Sequence, residues 1–391
     1  MEEALIALFD ISLFILVAET IRSLLSKYNL PGLVGEILTG IAIGPYALGY
    51  VINELVGFPL ISIDVYVQFL AEFSVILLIF ASGLEHGLAP IKSAGILGFL
   101  GATFGALLPF LVSFYIYSPK FGDDSALMLG ASMGATSLAA VVAIIEEEQL
   151  KGKDINFLVS ASAVDDVVDL ILLSIVLVLL QGNSVSFESL GLKVISLIVI
   201  WAVILIISVI VIPKVANRLS DKYIEEFPFV VLFGLTLIMV SLGYSPIISA
   251  FIAGVSLANS SKSPKIIQIS NTLLSIFGSL FFVTVGAQVN VLELNINTLI
   301  LSLELTGIAS LLKWIGVFPF ALIYLRDIRS ANAIAIGMIP RGETGLVIAS
   351  LGMSIGVLNQ IEFQGIVFMS LLTTLMGSIL FKVLAKRTNH P

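Results

Sequence analysis

The chain has 391 residues, of which 58% are hydrophobic and only 12% are charged. A soluble domain carries about 25% charged residues, so this composition predicts a protein of the lipid bilayer and excludes a separate soluble domain. The net charge of −8 argues against a nucleic-acid partner. With no cysteine and two histidines, disulfides, thiolate chemistry and a histidine-rich metal site are excluded.

Apolar runs separated by glycine, proline and charged breakers follow one another along the whole chain. A membrane-spanning helix needs about 20 apolar residues, and the runs predict an all-α polytopic protein with about 13 spans. The predicted spans are 4–25, 32–51, 65–84, 93–117, 124–145, 155–181, 189–212, 227–243, 246–260, 272–288, 297–325, 331–357 and 361–383.

The basic residues predict the orientation of these spans, because lysine and arginine collect in cytoplasmic loops. With the N-terminus outside, only Lys120 and Lys193 fall in outer loops, and Lys313 and Arg341 fall inside spans. Every other lysine and arginine lies in an inner loop or at the inner end of a span. The distribution therefore predicts an odd number of spans, with the N-terminus outside and the C-terminus inside.

Two spans contain glycines where a plain lipid-facing helix would carry leucine. Gly134 and Thr136 in the fifth span recur as Gly342 and Thr344 in the twelfth, at a constant offset of 208 residues. Unwound backbone of this kind lines cavities in transporters. We expect two inverted six-helix repeats, 4–181 and 227–383, joined by a linker helix over 189–212. The alternative is that small residues simply allow membrane helices to pack.

The sixth span carries three carboxylates inside an apolar run: Asp165, Asp166 and Asp169. At about 100° per residue, all three lie on one side of a helix. Like charges this close in a low dielectric do not all stay ionised unless a proton or a cation is held among them. The pattern indicates a site where H⁺ and a metal cation compete; the alternative is three carboxylates hydrogen-bonded within the bundle.

Lys313 lies at the middle of the eleventh span, too far from either end to reach water easily. A buried lysine without a partner would lose its proton. We therefore predict an ion pair with one of the sixth-span aspartates. Such a pair either acts as a switch or only fixes helix packing, and the two roles do not exclude each other.

Polar residues also occupy both predicted helix breaks. Arg341 and Glu343 either line an ion path or brace the broken twelfth span, and bracing is the preferred interpretation. Thr136 and Ser137 at the corresponding break offer hard oxygen ligands for an alkali cation. The alternative for these hydroxyls is bonding back to the preceding helical turn.

Several segments resemble the monovalent cation:proton antiporter-2 family, which includes NapA-type sodium/proton antiporters. The resemblance covers essentially the whole chain, and the adjacent Asp165 and Asp166 are its most specific part. The other matching segments are Leu-Pro-Gly-Leu-Val-Gly-Glu-Ile-Leu-Thr-Gly at 30–40, Gly-Leu-Glu at 83–85, Ala-Phe-Ile-Ala-Gly at 250–254 and Phe-Phe-Val-Thr-Val-Gly at 281–286.

The resemblance implies roles for the two adjacent aspartates, for Lys313 and for the residues at the two helix breaks. Asp166 is expected to bind Na⁺ or H⁺, with Asp165, Thr136 and Ser137 as further oxygen donors to the ion. Asp165 is expected to pair with Lys313. Arg341 and Glu343 match a charged pair of the family in the second broken helix, and Asp169 is grouped with them as a supporting residue.

The resemblance also implies a fold of the NhaA/NapA type, in which two broken helices cross. A core domain of about 65–181 and 272–383 moves like an elevator against a dimerisation domain formed by the remaining spans. The implied protein is a homodimeric, multi-pass transporter of the plasma membrane with no enzymatic activity and no cofactor beyond its transported ions.

The predicted activity is exchange of Na⁺ or Li⁺ for H⁺, which would serve pH homeostasis. The Asp-Asp pair with a lysine resembles the electrogenic branch of the family. The alternatives are K⁺/H⁺ antiport of the potassium-efflux type, a cation channel and an intramembrane aspartyl protease. A buried lysine is a poor neighbour for a cation pore, and adjacent aspartates cannot flank a peptide bond as acid and base.

Overall fold

The computed structural model describes residues 2–27, 30–87, 89–137, 141–142, 144–145, 148–180 and 187–388. Within these ranges the chain forms fifteen α-helices with defined ends and two short 3₁₀ turns, residues 141–142 and 144–145 are also helical, and no β-strand occurs. The helices are α1 (Glu2–Ser26), α2 (Gly32–Ile43), α3 (Leu48–Val56), α4 (Val65–His86), α5 (Ala89–Phe121), α6 (Asp123–Gly134), α7 (Lys153–Leu180), α8 (Phe187–Arg218), α9 (Phe227–Ser241), α10 (Pro246–Ala258), α11 (Ser263–Ala287), α12 (Ile296–Leu325), α13 (Ile328–Gly337), α14 (Glu343–Ser354) and α15 (Gln360–Thr388).

The helices have the length and composition of membrane spans. Among the described residues, eight segments are long and apolar enough to cross a bilayer, and α9 and α10 are shorter apolar helices. Much of their apolar surface faces outward; on α8, for example, Ile198, Ile206 and Ile210 are exposed. In water such a surface would drive aggregation, whereas lipid solvates it. The chain is a multi-pass membrane protein with an all-helical fold.

Some helices extend beyond the predicted apolar runs. The run predicted over 272–288 is the second part of α11, which begins at Ser263. Its first turns contain Lys265 and Gln268, so the helix starts in a polar stretch that hydropathy does not detect. Similarly, α5 continues to Phe121 through Pro119. The span predicted over 124–145 includes residues 138–140 and 143, which lie outside the described residues.

Side-chain caps set the starts of several helices. Asn295 accepts a hydrogen bond from the backbone N–H of Thr298 at 3.1 Å and begins α12. Asp327 does the same for Ser330 at 2.7 Å and begins α13. These bonds satisfy amide groups that the first helical turn leaves without a partner. The charged Asp327 additionally complements the positive end of the helix dipole.

The chain divides into two compact units. The first comprises residues 1–71, 91–169 and 279–391, and the second comprises 72–90 and 170–278. In the second unit, α4 and α10 approach so closely that a Cβ atom on Gly254 would overlap the carbonyl oxygen of Phe80. Small residues permit this contact between backbones in membrane helices.

The first unit contains all the candidate residues named above. In this unit α12 packs against α13 and α15, and α14 packs against α6 and α15. A buried apolar cluster joins α12, α13 and α15 to α7, and it includes Leu158, Val317, Ile334 and Phe381. The candidate residues therefore sit among helices that are fixed by tight apolar packing.

Candidate functional site

Two helix breaks meet inside the first unit. Helix α6 ends at Gly134 and residues 135–137 are not helical, while α13 ends at Gly337 and α14 begins only at Glu343. The backbone N–H of Ser137 donates to the carbonyl of Pro340 at 2.8 Å. The hydroxyl of Thr136 donates to the carbonyl of Met338 at 3.1 Å. The two breaks thus hydrogen-bond directly to each other.

Close approach of the breaks depends on Gly342. A Cβ atom at this position would overlap the Cβ and Oγ atoms of Ser137. The hydroxyl of Ser137 in turn donates to a carboxylate oxygen of Glu343 at 3.1 Å. Glycine at 342 therefore lets a hydroxyl from one break reach the carboxylate that opens the next helix.

Lys313 and Asp165 form an ion pair at this place. The Nζ atom of Lys313 lies 2.6 Å and 2.7 Å from the two carboxylate oxygens of Asp165, and neither side chain is exposed. Removing two charges from water costs several kcal/mol per ion, which only close geometry and further hydrogen bonds offset. The pairing of Lys313 with a sixth-span aspartate, predicted from its burial, is present in the structure.

The end of α6 supplies the further hydrogen bonds. Lys313 Nζ also donates to the carbonyl of Gly134 at 2.7 Å. The guanidinium of Arg341 donates to the carbonyls of Ala135 at 2.8 Å and Ala309 at 3.0 Å, and its Nη1 lies 3.4 Å from the Gly134 carbonyl. The last carbonyls of a helix lack helical partners and carry its negative dipole end. Two buried cations are therefore held at one helix terminus.

Arg341 acts as a brace in this arrangement. All of its hydrogen bonds among the described residues go to main-chain carbonyls, and its own carbonyl accepts bonds from Ser370 at 2.9 Å and from Thr374. It thereby ties the break before α14 to the ends of α6 and α13, to α12 and to α15. Of the two roles considered for Arg341, these contacts favour bracing.

The other carboxylates lie on the same part of α7 or at the start of α14. Asp166 is half-buried, and Asp165, Asp169, Glu343 and Lys313 lie close enough to act on it electrostatically. Asp169 is 1% exposed. A Cβ atom on Gly134 would lie 2.7 Å from Oδ1 of Asp169, so this carboxylate is seated against the break of α6. The structure thus assembles all eight candidate residues around one pair of helix breaks.

Several contributors to the site escaped the sequence-based prediction. The carbonyls of Gly134, Ala135 and Ala309 accept hydrogen bonds from cationic side chains. Every residue has a main-chain carbonyl, so the residue type does not reveal this role. Ser370 and Thr374 were indistinguishable from other hydroxyl residues of a membrane helix. The recurrence of Gly134 as Gly342 was the one available signal, since both glycines permit the close contacts described here.

The chemistry of this arrangement follows from its oxygen atoms and its balance of charge. Carboxylates, hydroxyls and unwound carbonyls are hard ligands that suit alkali cations, and a carboxylate also binds a proton. Asp165 has its charge balanced by Lys313, whereas Asp166 is the half-buried carboxylate next to it. The site is suited to holding either a small monovalent cation or a proton.

Solved structures share this fold. The sodium proton antiporter MjNhaP1 from Methanocaldococcus jannaschii, in its structure at pH 8, matches with a TM-score of 0.77 and 16% sequence identity. The match covers 98% of this chain and 99% of that one. A likeness of this size over both whole chains shows a common fold.

Sequence comparison extends the likeness to named antiporters. The chain is 27% identical to a Na⁺/H⁺ antiporter of Enterococcus hirae, over 95% of this chain and 97% of that protein. It is 28% identical to the Na⁺/H⁺-K⁺ antiporter GerN of Bacillus cereus, over 96% and 95% respectively. The family model described as "Sodium/hydrogen exchanger, transmembrane" matches residues 12–387. The chain therefore belongs to the sodium/hydrogen exchanger family.

Proposed function

We propose that this protein exchanges Na⁺ for H⁺ across the plasma membrane, with Asp166 as the carboxylate that binds either ion. The observation that carries the proposal is the buried Lys313–Asp165 pair next to Asp166, where two helix breaks meet. Lys313 balances the charge of Asp165, and Asp166 is the neighbouring carboxylate that would bind the transported ion. Similarity to Na⁺/H⁺ antiporters over nearly the whole chain supports the same activity.

Competition for one site accounts for the coupling. A carboxylate occupied by Na⁺ has released its proton, and a protonated carboxylate no longer attracts Na⁺. If the site is exposed to one side of the membrane at a time, a cation and protons cross in opposite directions and never together. Thr136, Ser137 and Asp165 would contribute further oxygens to the cation. Glu343 would support the cation indirectly, because its carboxylate accepts a hydrogen bond from the hydroxyl of Ser137.

We also propose an arrangement of the helices in the membrane. Thirteen spans with the N-terminus outside, inverted repeats over 4–181 and 227–383 and a linker helix over 189–212 are the layout that best fits the basic residues and the paired breaks. A core domain of about 65–181 and 272–383 would move as an elevator against a dimerisation domain in a homodimer. The likeness to MjNhaP1 in fold is consistent with this layout.

The proposal also covers stoichiometry and ion selectivity. The aspartate pair with a lysine favours electrogenic exchange, in which more than one proton moves per cation. Li⁺ would be accepted with Na⁺ because both are small and hard. K⁺/H⁺ exchange is the second candidate function, and the name of GerN, a Na⁺/H⁺-K⁺ antiporter, is the observation that favours it.

Proteoliposomes test the proposal directly. Proton movement driven by Na⁺, Li⁺ or K⁺ gradients would be recorded for the native chain and Asp166→Asn, with the membrane potential clamped or free. Asp124→Asn is the matched control, because Asp124 is exposed at the start of α6. We expect Na⁺-driven transport that responds to potential, is lost in Asp166→Asn and is retained in Asp124→Asn.

Other outcomes would contradict the proposed ion, the proposed residue or antiport itself. Transport that persists in Asp166→Asn would remove Asp166 from the centre of the mechanism. Exchange driven only by K⁺ would establish the second candidate function. A cation current without proton exchange would contradict antiport altogether and favour a channel.

A further inference from the structure

Asp169 is a buried carboxylate to which none of the described residues donates a hydrogen bond. Its side chain is 1% exposed, and neither Oδ1 nor Oδ2 has a donor or acceptor among the described residues. An isolated buried carboxylate is costly, and nearly all buried polar atoms in proteins are paired. An exception of this kind in the middle of a transport site needs an explanation.

A cation lies close to this unused acceptor. Asp169 follows Asp165 by four residues, so the two carboxylates occupy neighbouring positions on one face of α7. Oδ1 of Asp169 is seated against Gly134, and the carbonyl of that same Gly134 accepts a bond from Lys313 Nζ. Gly134 therefore lies next to both the bound ammonium and the carboxylate that has no donor among the described residues.

The neighbouring charges leave Lys313 as the cation that is able to move. Arg341 also lies near Gly134, but its guanidinium is fixed by the carbonyls of Ala135 and Ala309. Asp166 is negative when ionised and supplies no cation. Lys313 carries its ammonium on a flexible four-carbon stem, and its aliphatic carbons pack beside Gly105, where a Cβ atom would lie 3.1 Å from Lys313 Cδ.

We propose that Asp169 is a second acceptor for Lys313, to which the ammonium transfers when the ion bound at Asp166 also takes an oxygen of Asp165. This inference rests on the proposed function and adds a positioning residue to it. In the structure the ammonium contacts Asp165, and Asp169 accepts no hydrogen bond from any of the described residues. Transfer keeps Lys313 paired while Asp165 is released, so that no step of the cycle leaves a buried ammonium alone.

Thermal unfolding of the purified full-length chain tests the two-acceptor arrangement. Asp169→Asn would be made in the native background and in Asp165→Asn, with Asp10→Asn as the matched control. Asp10 is also fully buried, and its Oδ1 has no partner among the described residues, but Asp10 lies on α1 and its Oδ2 accepts a bond from the Ser62 N–H. If Asp165→Asn does not yield folded protein, Asp165→Ser removes the same carboxylate.

We expect Asp169→Asn to change the melting temperature little in the native background and to lower it by several degrees more in the Asp165→Asn background. Asp10→Asn should have the same effect in both backgrounds. Non-additivity of this kind is the signature of a shared partner. Effects of Asp169→Asn that are equal in the two backgrounds would overturn the proposal.

Transport supplies the second readout. In proteoliposomes, Asp169→Asn should lower the maximal Na⁺-driven rate at least about tenfold while the half-saturating Na⁺ concentration changes little, because Asp169 acts on Lys313 and not on the ion. A native rate, or a shift in half-saturation alone, would overturn it. The melting experiment needs no transport, so absence of Na⁺/H⁺ exchange in the native chain would refute the proposed function without deciding this inference.

Discussion

Asp165 accepts two short hydrogen bonds from the ammonium of Lys313 in a place where neither side chain touches solvent. Charges in such a place stabilise the fold only together, since either one alone is a buried ion without a partner. The pair therefore makes the core of this membrane protein sensitive to changes that conserve size but not charge.

Removal of the lysine charge should strongly destabilise the protein. Lys313→Met leaves Asp165 buried and unpaired, with an expected loss of about 3–5 kcal/mol. Thermal unfolding in detergent measures it. Lys120→Met is the control, because Lys120 pairs with Glu304 while about half of its side chain is exposed, and exposed pairs contribute about 0–1 kcal/mol. Equal losses in the two variants would contradict burial as the cause.

Arg341 should not be replaceable by lysine. A lysine side chain at this position would keep the charge but would lack the planar set of donors that reaches Ala135 and Ala309. We expect Arg341→Lys to lose about 1–3 kcal/mol for the carbonyls left without donors and to lose most transport. Arg329→Lys, at an exposed arginine of α13, should do neither. A native transport rate in Arg341→Lys would exclude the bracing role.

A methyl group at Gly342 should separate the two helix breaks. Gly342→Ala places a Cβ atom into Ser137, and overpacking of this kind costs about 1–3 kcal/mol. The transport rate should fall with it, because the hydroxyl of Ser137 and the carboxylate of Glu343 no longer meet. The matched change is Gly307→Ala, since a Cβ atom on Gly307 meets nothing within 4 Å. If both variants transport equally, close contact of the breaks is not required.

The N-cap of α13 should make a contribution to stability that depends on pH. Hydrogen bonds from the backbone and side chain of Ser330 lower the pKa of Asp327, which lies outside the spans. A carboxylate with a lowered pKa in the folded state stabilises the protein above its unfolded pKa, and this contribution is lost as the pH falls through the folded value.

The corresponding experiment compares melting temperatures of the native chain and Asp327→Ala as the pH is lowered from 7. The difference should be largest at neutral pH and should shrink once the pH passes below the ordinary aspartate pKa of 3.8. Asp327→Asn, which keeps a capping oxygen, should lie between the two at neutral pH. A difference that grows in acid would show that Asp327 acts in another way.

The sequence predicted the features that depend on residue type and spacing. Apolar runs located the helices, Gly134 and Gly342 located the breaks, and the isolation of Lys313 in an apolar span required an acidic partner. What remained hidden depends on three-dimensional packing. The sequence alone does not show that the carbonyls of Ala135 and Ala309 accept bonds from Arg341. Nor does it show that Asp169 lies against Gly134 and lacks a hydrogen-bond partner in the part of the chain that the structure describes.

The carbonyl ligands of Arg341 have a consequence for how this site tolerates mutation. Ala135 and Ala309 take part only through their backbones, so any residue small enough to fit supplies the same oxygen atoms. Both alanines are buried, and enlarging either would push an acceptor away from the guanidinium without removing a functional group. We expect these two positions to respond in proportion to side-chain volume and to be indifferent to polarity, opposite to the response of Asp165 and Lys313. A saturation scan would thus separate the residues that position carbonyl acceptors from those that carry the charge of the site.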